Sequence, residues 1–482
     1  MRRANFIALL ICLAAWAFYL ELIRNYPVVY WYDPYVRFAF RDQIIVGRWL
    51  PLTQTLIFVA SKITDDLLVA RSFLAMAGVY AAASMYRLAG RLFSPEAGLI
   101  AAAFFATNAM LVALAIVAYP DISFIGLLVL ALALLADSAG PPRLLLGGLA
   151  LNLACLTRYE GWLMALMFMA EMMILSLRTK DWKQIVAQWI KTPLFFGAAA
   201  ILWTSLGFAM LEPRETQALD RLHLEHWRAF GDQFIELLRW QVGDGVLLFG
   251  LIGWMAAWFG RSRRRIHLYI LLFIALDVLL IGFLQPWPFG NLRQTFVVIA
   301  FATLYAAYGI ERLIHALSVL LARLTGQARI VDQQGCIACG AVVLVVGICA
   351  PFTVQFVRGA AHEPVFSLPA QVGAWLRPRL KPDDRVWVLT DDVFPAYALA
   401  TYTYLPYDLI LDHRFDSQAV RARLESARRV YVVSMDDSHN TLATNERALL
   451  ADLESGRLAT QAFSIGPARV WVAPADTLSD SP

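Results

Sequence analysis

The 482-residue chain is short of charge. Asp, Glu, Lys and Arg together make up 16% of it, where a soluble domain carries about a quarter. Its C-terminal tail, 358–482, has no glycine-rich loop of the kind that cradles phosphates, which argues against a nucleotide site there. Cysteines are few, five in all, and each lies in or beside an apolar segment: Cys12, Cys155, Cys336, Cys339 and Cys349. Cys336-x-x-Cys339 has no second pair to complete a zinc site, and it opens an apolar helix rather than a βα unit. Small helix residues are the plainer reading. No cysteine follows residue 349, so no disulfide holds the C-terminal tail together. The net charge of +4 is not a nucleic-acid signal, because the basic residues cluster at alternate helix ends.

What the chain does have is apolar surface. It is 59% hydrophobic with a mean hydropathy of +0.58. The apolar residues come in runs of about 17–23, long enough to cross hydrocarbon. Eleven runs are read, at 5–23, 67–86, 96–117, 122–137, 143–157, 161–177, 193–211, 244–260, 267–285, 294–310 and 337–357. The first follows Arg2 and Arg3 without a small-residue cleavage site, so it reads as a retained signal anchor. The expected fold is a polytopic α-helical membrane protein of about eleven spans, residues 1–357, with a small α/β domain at 358–482. The tail earns that description from two strand-like runs, 385–390 and 429–434. Two amphipathic helical runs, 417–427 and 442–453, alternate with them.

Basic residues set the expected orientation. Clusters at 2–3, 87–91, 178–191, 261–265 and 312–329 fall on one side, taken as cytoplasmic. Leu313 to Leu324 is amphipathic and basic and reads as a helix along the inner interface. The outer face then receives the 24–66 loop, Tyr119-Pro120-Asp121, Thr157-Arg158-Tyr159-Glu160-Gly161, the 212–243 segment, 285–293 and the tail. An odd number of spans leaves the C-terminal domain extracytoplasmic.

Those outer segments hold the candidate chemistry. Asp33 lies among Tyr30, Trp31, Tyr32 and Tyr35. An ionised carboxylate just outside a membrane helix costs little, yet it can act on a lipid headgroup. It reads either as a general base or as a helix cap paired with Arg37 or Arg41. Tyr32 and Tyr35 read as a sugar-stacking wall or as an interfacial belt. Asp121 reads as a second carboxylate that orients an acceptor or holds a metal, or as a cap. Arg158 and Glu160 interrupt a long apolar stretch, which is expensive unless they pair or bind something. A mutual pair and phosphate binding by Arg158 both stand. Arg293 opens an apolar run from outside, to snorkel or to hold a phosphate. His223 and His226 share a helical face with too few further ligands for a metal. Asp277, an acid deep inside a membrane run, reads as an interhelical partner or as part of an ion path.

The assembled pattern resembles the C-type membrane glycosyltransferases. It is nearest to bacterial relatives of protein O-mannosyltransferases and of the aminoarabinose transferases that modify lipid A. The residues that carry the resemblance are Asp33-Pro34-Tyr35, then Gly47-Arg48-Trp49-Leu50-Pro51, Pro120-Asp121, Leu156-Thr157-Arg158 and the late outer Arg293. The usual Asp-Glu pair of the first loop is Asp33-Pro34 here, and Arg293 precedes Gln294 where a Tyr is common. The resemblance covers roughly residues 1–310. It implies a polyprenyl-phosphate sugar as donor, a lipid, glycan or protein as acceptor, and inverting transfer at the plasma (inner) membrane. A base would take the acceptor's proton and cations would receive the leaving phosphate. Asp33 would be the base, Arg158 and Arg293 the phosphate clamp, and Asp121 and Glu160 the orienting acids. No particular cofactor is implied, and a divalent metal stays open. The alternatives are a multi-pass transporter or flippase of a lipid-linked substrate, and a non-catalytic assembly or sensor protein.

Overall fold

The computed structural model describes residues 2–29, 32–44, 50–64, 66–136, 141–177, 241–260, 264–284, 295–325, 334–389, 394–406, 409–411, 427–435 and 444–474, with isolated residues between 183 and 239 and at 424 and 478. The protein is mostly helical, with several apolar helices and one small sheet. Two compact units form. One takes residues 1–22, 47–56 and 71–357, and the other takes 23–46, 57–70 and 358–482.

Ten helices lead the chain: α1 (Arg2–Asn25), α2 (Tyr32–Ala39), α3 (Pro51–Ile63), α4 (Leu67–Leu74), α5 (Met76–Leu92), α6 (Pro95–Thr107), α7 (Ala109–Ile116), α8 (Pro120–Leu135), α9 (Pro141–Cys155) and α10 (Glu160–Ser176). Then follow α11 (Asp244–Phe259), α12 (Arg264–Leu284), α13 (Phe296–Thr325) and α14 (Gln334–His362). Among the described residues four helices are long and apolar enough to cross a membrane. They are Arg3–Asn25, the joined α4–α5 at Leu67–Leu92, α13 and Gly335–His362. The pair α6–α7, bent by 60° at Asn108, makes a fifth if it is one span. The bend has a local cause: the Asn108 side chain caps α7 by accepting from Leu111 N, so a new helix starts there. The expected span at 193–211 lies largely outside the described residues. Residues 313–324, expected as a separate interfacial helix, continue α13 without a break.

The first unit is packed through α5, α6, α7 and α8, where nearly every residue of α6 to α8 is buried. Other helices turn large apolar side chains outward, such as Val343, Leu344 and Ile348 of α14 at 71%, 63% and 64% exposure. Faces of that kind suit a lipid solvent rather than water. One helix crossing brings backbone against backbone at glycines. The residues α11 buries are Gly250, Gly253 and Ala257, and they lie on α13. A Cβ on Gly253 would run into the Tyr305 carbonyl, and one on Gly309 into the Phe249 carbonyl. Only glycine permits backbones to meet this closely.

The second unit holds α15 (Pro364–Leu376), β1 (Asp384–Leu389), α16 (Phe394–Thr403), β2 (Ile410–Leu411), β3 (Arg429–Ser434), α17 (Thr444–Glu454), β4 (Thr460–Ile465) and β5 (Ala468–Pro474). The sheet order is β2-β1-β3-β5-β4. β2, β1 and β3 are parallel, while β5 and β4 are antiparallel. Alternate strand residues face opposite sides, and both sides are covered. Val386, Val388, Tyr431, Val433 and Val470 meet α15 and α16; Val430, Val432 and Trp471 meet Leu449, Leu450 and Leu453 of α17. Coverage on both faces explains why β1 and β3 read as continuous apolar runs. The β4–β5 hairpin turns at Gly466, whose φ of 53° suits glycine. The expected helix at 417–427 falls almost wholly outside the described residues. Ala39 of α2 belongs to the α15–α16 side of the core, so the unit unites the tail with part of the first loop.

Candidate functional site

The first unit gathers its charges at the starts of two helices. At the α7–α8 turn Ala118 adopts φ 62°, a left-handed conformation that costs a residue with a Cβ about 1–2 kcal/mol. The turn ends at Tyr119, and Pro120 takes the first helical position, where its missing N–H costs nothing. Asp121 follows in the first turn, 0% exposed. At the α9–α10 turn, Thr157 N and Arg158 N both donate to Ala154 O, at 3.0 and 3.2 Å. Gly161 lets α10 begin against the end of α9, because a Cβ there would lie 2.9 Å from Ala154 C and Cys155 N. Trp162 Nε1 donates to Cys155 O at 2.9 Å and ties the two helices.

Arg158 projects from this turn into the carboxylates. Its Nη1 donates to Asp121 Oδ1 at 2.6 Å. Its Nε donates to both oxygens of Glu160 at 3.0 Å, and Nη2 also bonds Glu160 Oε1. The guanidinium lies over the Phe296 ring, 5.0 Å from its centre, a cation–π contact. Phe296 in turn meets Phe124 edge-on at 5.9 Å. Burial works against the charge on Arg158, but Asp121 and Glu160 outweigh it and raise the pKa well above its ordinary value. The side chains of Arg158 and Glu160 keep 15% and 17% exposure, whereas that of Asp121 has none. The cluster is therefore sealed behind and open in front. Asp277 of α12, 1% exposed, lies within electrostatic reach of Glu160, Arg158 and Asp121.

Two residues named from the sequence lie deep. Asp121, read as a second carboxylate that orients an acceptor or holds a metal or as a helix cap, has no exposed surface and bonds Arg158 through Oδ1. Among the described residues no group of three or more His, Cys, Asp and Glu is placed to hold a metal ion. A guanidinium occupies the space between the acids, so this donor set does not fit a metal. Tyr35, read as part of a sugar-stacking wall or of an interfacial belt, is 0% exposed. In the second unit its hydroxyl donates to Val29 O and lies 3.0 Å from the Tyr402 hydroxyl. The Tyr35 and Tyr402 rings meet edge-on at 5.8 Å, and Thr401 Oγ1 donates to Tyr35 O at 3.1 Å. Such a ring has no free face for a ligand.

Asp33 stands in the first turn of α2 and is half-buried. Arg41, one partner considered for it, donates to Phe38 O at 3.3 Å and Tyr404 O at 2.5 Å. Arg41 and Arg377 stack on the Tyr404 ring, 4.7 and 4.4 Å from its centre. The side chain of Tyr32 lies outside the described residues, as do Arg293, His223, His226 and the 47–49 part of the first-loop motif.

Comparison with known proteins gives this arrangement a setting. Residues 45–205 match the family model described as dolichyl-phosphate-mannose-protein mannosyltransferase. No curated protein sequence matches the chain. Among solved structures, ArnT from Cupriavidus metallidurans in the apo state superposes with a TM-score of 0.62 at 13% identity, covering 100% of both chains. The same protein bound to undecaprenyl phosphate gives 0.62 at 12% identity, covering 98% of each. The archaeal oligosaccharyltransferase AglB from Archaeoglobus fulgidus, in complex with an inhibitory peptide and a dolichol-phosphate, gives 0.53 at 14% identity. That match covers 89% of this chain and 69% of AglB. The chain shares the fold of ArnT and, over most of its length, that of AglB. Asp277, read from the sequence as an interhelical partner or part of an ion path, is the acid that the fold brings within reach of Arg158. Its position inside an apolar run was a signal, but the run itself does not say which turn the acid faces.

Proposed function

We propose that the protein transfers a sugar from a polyprenyl-phosphate donor to an acceptor outside the cytoplasm, with inversion at the sugar carbon. The chain-long similarity of fold to ArnT, including ArnT bound to undecaprenyl phosphate, carries this reading. In it Asp33 takes the proton from the acceptor hydroxyl, and Arg158 and Arg293 receive the phosphate as it leaves. Asp121 and Glu160 position Arg158, rather than touching the acceptor. Arg158 suits the task because it is fixed in place and still partly open. Tyr32 stays the candidate for sugar stacking. The eleven-span topology, the inner-membrane location and an extracytoplasmic tail belong to the same proposal. A transporter reading drew on Asp277 as an isolated intramembrane acid, and the electrostatic partners of Asp277 supply another reason for its presence.

The test is a transfer assay with purified protein and a panel of polyprenyl-phosphate sugars, run beside donor binding. Wild type should form glycosylated product with one of them. Arg158→Ala should weaken donor binding about tenfold to a hundredfold, the worth of one charge-assisted contact. Unchanged donor affinity in folded Arg158→Ala protein would return Arg158 to a purely structural pairing. A reporter fused after residue 400 should read as external, and a cytoplasmic signal there would overturn the proposed sidedness.

A further inference from the structure

Arg71 of α4 has no exposed surface and lies in a helix long enough to cross a membrane. A buried cation there is expensive and points to a functional role. Its Nε donates to Ile116 O at 2.8 Å, and Ile116 ends α7. A helix leaves its last carbonyls without a partner inside the helix. The turn after α7 meets two of them: Ala118 N donates to Ala115 O at 3.3 Å, and Tyr119 N to Leu114 O at 2.9 Å. This is a Schellman turn, with Ala118 at the left-handed position where glycine is usual. The next carbonyl, Ile116 O, takes its hydrogen bond from Arg71.

Asp121 comes five residues after Ile116, in the first turn of α8. A buried cation and a left-handed alanine, both costly, thus meet at the turn that leads into the carboxylate bonded to Arg158. Arg91, at the other end of the same span, gives a contrast. Its Nη1 donates to Ala133 O, twelve residues beyond Asp121 and about 18 Å along α8. We propose that Arg71 is a positioning residue for the phosphate site. By fixing the end of α7 it sets the Ala118 turn, the turn aims Asp121, and Asp121 holds Arg158 where a lipid-linked phosphate reaches it. The inference rests on the reading of Arg158 as a phosphate ligand. It goes beyond that reading by naming a residue that acts on Arg158 through the backbone.

The probe is a polyprenyl phosphate, bound to the full-length protein in lipid nanodiscs, with the melting midpoint read beside the affinity. Arg71→Lys keeps the charge, but a methylene stands where arginine carries Nε, so the bond to Ile116 O is lost. Arg71→Gln loses the charge and keeps a nitrogen donor at that point of the side chain. Arg71→Lys should weaken binding on the order of tenfold, the worth of one hydrogen bond from a charged group, while Arg71→Gln should stay within about threefold of wild type. A purely structural cation predicts the reverse, and wild-type affinity in Arg71→Lys overturns the proposal. If Arg71→Lys does not fold, Arg71→Met, which lacks charge and donor alike, takes its place under the same criterion. Arg91→Met should lower the melting midpoint and leave the affinity unchanged; an equal loss of affinity there would mean general loosening and overturn the proposal. Arg158→Ala separates the two layers. In its background Arg71→Lys should cause no further loss of binding, and additive losses would place the action of Arg71 elsewhere. If Arg158→Ala weakens binding and Arg71→Lys does not, the phosphate reading stands and the positioning role falls. If Arg158→Ala leaves the affinity unchanged, the phosphate reading falls and takes the positioning role with it.

Discussion

Asp33 and Asp121 occupy the same local position in two different units. Each sits at the second residue of a helix, beside a proline in the first turn. There the helix dipole favours a carboxylate by about 0.3–1 kcal/mol. The adjacent sequences differ: Asp33 precedes Pro34 in a stretch that also holds Tyr32, Tyr35 and Arg37, whereas Asp121 follows Pro120 at the head of an apolar helix. Burial follows that difference: Asp33 keeps a partly open side chain, while Asp121 has none of its surface exposed and holds Arg158. A carboxylate that must collect a proton from an incoming hydroxyl needs access. A sealed one can only fix a neighbour. The same helix position thus holds the base of the proposed reaction in one unit and, in the same proposal, a positioning residue in the other.

The sharpest way to break this contrast is Asp33→Asn. As a general base Asp33 contributes about 10²–10⁴-fold, so turnover should fall by that factor while thermal stability and donor binding hold. Near-normal transfer by the variant would remove Asp33 from the mechanism. Asp121→Asn should behave the other way. Breaking a buried ion pair from one side costs about 3–5 kcal/mol, and the remaining Glu160 contacts place this variant at the low end, visible as a drop in denaturation midpoint. If Asp121→Asn instead kept full stability and lost transfer, the two aspartates would have to exchange roles. A double-mutant cycle between Asp121→Asn and Arg158→Ala sharpens the point. Stability coupling of about 0.5–3 kcal/mol is expected for residues in one network, and additive losses would mean that the contact does not hold Arg158. The smallest effect is at the turn before Asp121. Ala118→Gly relieves a left-handed backbone and should be neutral or stabilising by about 1 kcal/mol. A clear loss in the same melt would show that the Ala118 methyl packs more than it strains.

The sequence made the helices legible because apolar length is a one-dimensional property. It made β1 and β3 legible for the same reason, since both faces of those strands are covered. β4 was not, because its exposed, mixed residues carry no apolar signal. β2, at two residues, is too short to show a pattern. The pairing of Arg158 with Glu160 was open to inference from adjacency. The share taken by Asp121, 37 residues earlier, and the reach of Asp277, more than a hundred residues later, depend on which helices pack together. Tyr35 misled for a related reason. An aromatic in an outer loop suggests a wall for a sugar, and only the fold reveals that Tyr402, 367 residues on, takes its edge.

The glycine crossing between α11 and α13 restricts movement. Side chains that interdigitate can change rotamer and let helices slide or part, but two backbones in contact have nothing to rearrange. The close approach favours joint movement of these two helices. Rearrangement inside the first unit is easier at boundaries built from larger side chains, which can change rotamer without parting backbones.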